Sequence, residues 1–321
     1  MPQSPVRRGS RRASIVGERR GRSTSWENAT RDFLSDCRRR NLSPATLETY
    51  AAMLGNPRTE RFRRDHDIED ATDFTAARLK LFETELMEAG LAAQTVTGYH
   101  RVFKTFAGFC IREGYGVDDR ILDVGGPKRE EREPEVFSPA EEKRLLDAAE
   151  SERDRLIVEF MLATGLRLKE VANATIDDLI DSPEGAYVRV RQGKGRKDRV
   201  VPLDTPKNRL SRKLLRYAER SRPLDSRERA LFLSSAGGSN GTGGALSSRG
   251  IQIMLRRLGQ RAGIHAHPHK FRHTFATRAL SAGVDVQALR LALGHTTLTM
   301  VMRYVQYQKE DILAAWRKRA D

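Results

Sequence analysis

Four of the seven histidines crowd together at His265, His267, His269 and His273. Imidazole is the commonest zinc ligand, so a metal site is one reading of the cluster. Lys270 and Arg272 stand among these histidines and no carboxylate or thiolate lies near in sequence, which disfavours a bound cation. The expectation is no metal. If Pro268 starts a helix, His269, Arg272 and His273 have i, i+3 and i+4 spacing and share one face. An imidazole beside a permanent guanidinium suits an anion with non-bridging oxygens, which is what a phosphodiester presents.

Further groups that could do chemistry are scattered along the chain. Thr164-Gly165-Leu166-Arg167 follows an apolar helical run, Leu156 to Ala163, that stops at a glycine. Lys194 sits between two glycines, where a flexible ammonium can reach into a groove. His295 follows Gly294 at the end of a helical pattern from Val286 to Leu293, and Tyr304 comes nine residues later. Singly, each also fits an ordinary surface position or a solvated turn. The glycine-rich stretch from Ser234 to Gly244 lacks the Gly-Lys-Ser/Thr ending of a phosphate-binding loop. Cys37 and Cys110 form neither a Cys-x-x-Cys pair nor part of a ligand cluster, so a disulfide scaffold and a thiolate zinc site are both excluded.

The elements that must position these groups fall into three parts. A chain of 321 residues exceeds one ordinary domain. Its formal charge is +15, which points to a polyanion, most simply nucleic acid. Residues 1–24 hold seven arginines against one acid, a disordered basic arm. Residues 25–125 are slightly acidic and helical by pattern, with helices expected near 27–39 and 73–89. Another opens at Ser43-Pro44 and carries Leu47, Tyr50, Ala51 and Leu54, and another runs from Thr95 to Ile111. Gly125-Gly126-Pro127 and the charged residues up to Pro134 read as a linker, assigned to 126–136. Ser138-Pro139-Ala140-Glu141 is then a capping box that starts a new domain over 137–321. That domain is mostly helical, but Tyr187 to Arg191, a Gly193-Lys194-Gly195 turn and Val200 to Leu203 read as a β-hairpin. No apolar run is long enough to span a bilayer, and no apolar segment follows the basic N-terminus as in a signal peptide. A soluble cytoplasmic protein is expected.

Taken in order, these motifs resemble the tyrosine recombinase, or phage integrase, family. The resemblance rests on Thr164-Gly165-Leu166-Arg167-x-x-Glu170, Gly193-Lys194-Gly195 before Val200-Val201-Pro202-Leu203, His269-x-x-Arg272-His273, Leu293-Gly294-His295 and Tyr304. It implies a mainly α fold with a small β-sheet in the catalytic domain, in a two-domain architecture. Residues 25–125 would be the helical core-binding domain and 137–321 the catalytic domain, ending in a tail, 305–321, that docks on a neighbouring subunit. Tyr304 would be the nucleophile on the scissile phosphate, leaving a 3′-phosphotyrosyl link and a free 5′ hydroxyl. Arg167 and Arg272 would clamp the phosphorane, and Lys194 would protonate the leaving oxygen. His269 would handle the phenol proton, His295 would bind a phosphate oxygen, and Glu170 would orient the site. No cofactor is implied, because the phosphodiester energy is held in the phosphotyrosine.

The implied activity is site-specific recombination of double-stranded DNA, by a homotetramer on synapsed sites and through a Holliday junction. Accessory DNA-bending or directionality proteins are possible partners of such a complex, and its place is on the nucleoid. Candidates for DNA contact are Thr46, Tyr50, Arg101 and Lys104 in the first domain, with Arg196 and Lys197 beside Lys194 in the hairpin. Two alternatives share part of the pattern. A type IB topoisomerase would use the same chemistry on one duplex, and a DNA-binding regulator would use Val286 to Val305 as a helix-turn-helix without catalysis.

Overall fold

The computed structural model describes residues 24–128, 133–191, 198–205, 208–222, 228–234 and 243–305. The chain divides into two compact units, one through Glu131 and one from Arg132. In the first, the helices start where a short polar side chain accepts a free first-turn amide. Ser25, Ser43, Asn56 and Thr75 cap α1 (Trp26–Arg39), α2 (Pro44–Leu54), α3 (Pro57–Asp65) and α4 (Ala76–Glu88), and α5 (Ala93–Arg112) follows. Periodicity locates all of these but α3, in which only Thr59 and Phe62 are buried among charged neighbours. What fixes α3 is its Asn56-Pro57 start and the Thr59 hydroxyl, which donates to the Met53 carbonyl at 2.7 Å. The core of this unit is aromatic: Trp26 packs edge-on against Phe74 and Phe106, and Phe82 lies against Phe103.

The second unit opens with the expected capping box. Ser138 and Glu141 exchange hydrogen bonds at the start of α6 (Pro139–Asp147). There follow α7 (Glu152–Thr164), α8 (Leu168–Asn173), β1 (Leu179–Ser182), β2 (Gly185–Val190), β3 (Arg199–Pro202) and α9 (Leu210–Arg220). The last four helices among the described residues are α10 (Ser248–Ala262), α11 (Pro268–Ser281), α12 (Val286–Leu293) and α13 (Thr299–Val305). The three strands form an antiparallel sheet in the order β1-β2-β3, with Val188 facing Leu179 on one side and Val201 on the other. The sequence indicates β2 and β3 alone. β1 escapes because Asp181 and Ser182 break a strand only four residues long.

α7 is the central element. It buries Leu156, Ile157, Val158, Phe160 and Met161, too many directions for a surface helix, and shares a core with Val188, Val201, Leu214, Leu255 and Phe271. A smaller cluster of Ala276, Leu289, Leu293, Val301 and Tyr304 holds α13 to α11 and α12. No described helix is long and apolar enough to cross a membrane.

Candidate active site

The last carbonyls of two helices that end at left-handed glycines build the site. α7 stops at Gly165 (φ 59°) and α12 at Gly294 (φ 63°), a conformation that glycine adopts without strain. Arg272, on the buried face of α11, donates from Nη1 to the Gly165 carbonyl at 2.8 Å and from Nη2 to the Leu293 carbonyl at 2.6 Å. Arg167 donates to the Gly294 carbonyl at 3.3 Å. Helix C-termini carry partial negative charge, so these acceptors stabilise cations that burial would otherwise penalise. Burial, and then the neighbouring Arg167, pull the Arg272 pKa down to about 10, which leaves it charged at neutral pH. Gly165 is also sterically required: a Cβ there would come within 2.5 Å of the Phe275 ring.

Glu170 ties the cations together. One oxygen accepts the Arg167 amide at 2.8 Å, capping α8, and the other accepts Arg167 Nη1 at 3.1 Å. Arg199, the first residue of β3, grips the same carboxylate with both terminal nitrogens, at 3.0 and 2.8 Å, and donates from Nε to the Ala292 carbonyl at 2.7 Å. Burial pushes Glu170 upward, but the Arg199 hydrogen bond and the Arg167 amide outweigh it and hold the carboxyl below its ordinary range. Three guanidinium groups and one carboxylate leave a local surplus of positive charge. Arg199 is absent from the sequence reading, although a signal exists. In a strand of period two it shares the inward face with buried Val201, and an inward arginine needs an acid.

Tyr304 lies against this cluster. Its ring is buried in the small core of α11, α12 and α13, and the electrostatic neighbours of Arg272 are Arg167, Tyr304, Glu170 and Arg199. The phenol oxygen is 3.0 Å from Nδ1 of His273, with the rings 5.5 Å apart. His269, expected to handle the phenol proton, is instead exposed at the start of α11, and its ring lies 6.4 Å from that of His273. The i, i+4 relation puts both on one face, but His269 is a turn further from the phenol. His295 is buried directly after Gly294, its amide donating to the Arg290 carbonyl at 3.0 Å.

Lys194, Arg196 and Lys197 lie outside the described residues, as does the tail beyond Val305. Of the DNA-contact candidates in the first unit, Arg101 is exposed on α5. The Thr46 hydroxyl is engaged with Ser43 at 2.8 Å, Tyr50 stacks on Phe33, and Lys104 donates to the Val124 carbonyl at 2.9 Å. The last three therefore already serve the fold, and Arg101 is the freest of the four for a ligand.

A model of the phage integrase family matches residues 135–311. The chain is 30% identical to tyrosine recombinase XerC of Oceanobacillus iheyensis over 294 residues, covering 87% of this chain and 91% of that protein. It is also 30% identical to XerD of the same organism, over 92% of this chain and 99% of that protein. Among solved structures, a lambda integrase tetramer bound to a Holliday junction shares the fold with a TM-score of 0.70 at 18% identity, over 88% of this chain and 77% of that one. The chain belongs to the phage integrase family, and it is a tyrosine-type site-specific DNA recombinase, an enzyme of DNA strand breakage and rejoining.

Proposed function

We propose that Tyr304 is the nucleophile and that Arg167 and Arg272 are the cations that stabilise its attack on a scissile phosphate. The phenol oxygen forms the new P–O bond as the bond to the 5′ oxygen breaks. The phenol proton leaves to an imidazole, and Lys194 gives a proton to the departing 5′ oxygen, so that charge balances across the step. Negative charge grows on the non-bridging oxygens during attack, and fixed cations stabilise that state more than the ground state. Each terminal nitrogen of Arg272 has a second N–H beyond the one given to a carbonyl, so the guanidinium can hold the backbone and a phosphate together. His295 completes the phosphate contacts. Glu170 and Arg199 orient the clamp without touching substrate.

On this reading the partner is double-stranded DNA carrying recombination sites, and residues 25–125 are the core-binding domain that holds the duplex for the catalytic domain over 137–321. Four copies exchange strands through a Holliday junction, with the tail passing to a neighbour and the 1–24 arm adding nonspecific phosphate contacts. The lambda integrase tetramer on such a junction supports the assembly. Work on DNA places the enzyme in the cytoplasm, at the nucleoid.

The observation that carries the proposal is the meeting of Arg167, Arg272 and Glu170 beside the buried phenol of Tyr304. A nicked suicide duplex traps a cleaved strand as a covalent complex. Wild type should give that complex and Tyr304→Phe should not; a complex that survives Tyr304→Phe but vanishes in Tyr307→Phe, a change at the next tyrosine along the sequence, would move the nucleophile.

A further inference from the structure

The four clustered histidines part into two pairs. His269 and His273 belong to the helix beside Tyr304, whereas His265 and His267 precede Pro268 and flank buried Ala266 in non-helical chain. His267 has extended dihedrals, φ −140° and ψ 153°. In extended chain, residues two apart project to one side, so His-x-His presents two imidazoles together. Their rings lie 5.0 Å apart. The third member arrives from 130 positions earlier and is invisible to sequence spacing: Glu135 places a carboxylate oxygen 4.0 Å from Nε2 of His267. One ligand atom from each of Glu135, His265 and His267 lies within 4.8 Å of the others. The geometry points to a divalent metal site of the zinc class, with two imidazole nitrogens and one carboxylate oxygen as ligands.

Three further observations favour it. The ligand-bearing backbone is fixed: α10 comes so close to this segment that a Cβ on Gly259 would lie 2.5 Å from the Ile264 carbonyl and 3.0 Å from Ala266 Cβ. On the other arm, two residues past Glu135, the Phe137 amide donates to Thr274 at 2.9 Å and its ring packs on Phe271. Finally, Lys270, three residues after His267, is taken up by Glu141 at 3.3 Å and by the Phe137 ring. Ligand atoms around tetrahedral zinc stand roughly 3.3 Å apart, given bonds of about 2.0–2.1 Å. Solvent-reaching side-chain ends can close that difference by rotamer changes alone.

Three protein ligands leave a position for water. The site would tie the segment that enters the second unit to the turn before α11, the helix of Arg272. It uses none of the side chains assigned to the reaction, so it stands whether or not those roles do.

The test is calorimetric titration of Zn²⁺ into the chelator-stripped full chain, with Co²⁺ absorption as a second readout. The expected result is one zinc per chain and visible Co²⁺ bands. His265→Ala, His267→Ala and Glu135→Gln should each weaken binding by about tenfold or more, at least what loss of an outer partner costs a metal site. His269→Ala should leave affinity unchanged. Zinc should raise the thermal midpoint of wild type and not that of His267→Ala. His265→Gln and His267→Gln repeat the measurement if an alanine variant fails to fold. Absence of saturable binding, binding that survives loss of both His265 and His267, or binding lost in His269→Ala would each overturn the site.

Discussion

Arg272 spends one N–H of each terminal nitrogen on a main-chain carbonyl, and on the proposed mechanism its remaining N–H groups hold the phosphate. A lysine there offers one compact ammonium and cannot hold two carbonyls and a phosphate in a plane. Arg272→Lys should therefore behave almost like Arg272→Ala. In both, and in Arg167→Ala, single-turnover cleavage should slow by about 10²-fold or more while gel-shift binding to the site persists. Arg199 is a different case, since among the described residues its side chain donates to Glu170 and the Ala292 carbonyl. Arg199→Ala leaves a largely buried carboxylate short of its main partner, which costs about 3–5 kcal/mol when a buried pair is broken, and cleavage should fall with stability. His273 makes the contact to the phenol, so His273→Ala should slow single-turnover cleavage more than His269→Ala does. The reverse result would return the proton to His269. Arg167, Glu170, Arg272 and Tyr304, which the fold brings together, each stand in a short box legible in the sequence, but the Arg199–Glu170 and His273–Tyr304 contacts were not legible. They are set by where β3 lies against α8 and how α13 lies on α11, which no local spacing encodes.

At the level of elements, the site depends on where helices stop. Gly165→Ala forces a side chain into the left-handed region and into Phe275, and should cost about 1–3 kcal/mol from the backbone alone, with more from the clash. Gly294→Ala carries the same backbone penalty and meets the Arg199 guanidinium at 3.1 Å. Denaturant unfolding should show both losses, and cleavage should fall with them. The link between α8 and β3 also sets a pH dependence. Glu170 has a folded pKa below its ordinary value near 4.5, so its contribution is fully present above that value and is lost as pH falls through the lower folded one. Glu170→Gln should reduce acid sensitivity in that window. Helices with an apolar stripe, α1, α2, α4 and α5, were legible, and so were β2 and β3. α3 and β1 were not, because each is short and held by contacts rather than by pattern. The helix start expected at Pro268 is present, and it divides the histidine run between extended chain and helix, so its members go to two places.

Over the whole chain the +15 divides unevenly. The basic arm and the second unit carry the excess and residues 25–125 are slightly acidic, so DNA affinity should fall steeply as salt rises, with a shallower slope once residues 1–24 are removed. Filter binding across a salt series checks this, and a flat response would sink the electrostatic reading. The two units hold separate cores, an aromatic one from Trp26 to Val124 and another from Phe137 onward. A fragment of residues 24–128 should therefore fold by itself, with a cooperative melt in circular dichroism. Chelation should leave covalent trapping intact. A strict metal requirement would refute the proposed reaction while leaving the His265–His267 site standing. The division into units was readable from composition because prolines, glycines and charges interrupt the apolar pattern, whereas the partner of His267 was not, being brought in by the fold. One last consequence follows from the carbonyls that hold Arg167 and Arg272. Main-chain acceptors cannot be deleted by substitution, so side chains around the site can drift while the clamp endures, provided helix length is conserved. A single residue inserted in α7 would rotate everything after it by roughly 100° and swing the Gly165 carbonyl away from Arg272. Descendants of this chain are thus freer to exchange residues on the exposed faces of α7 and α12 than to change the number of residues in either helix.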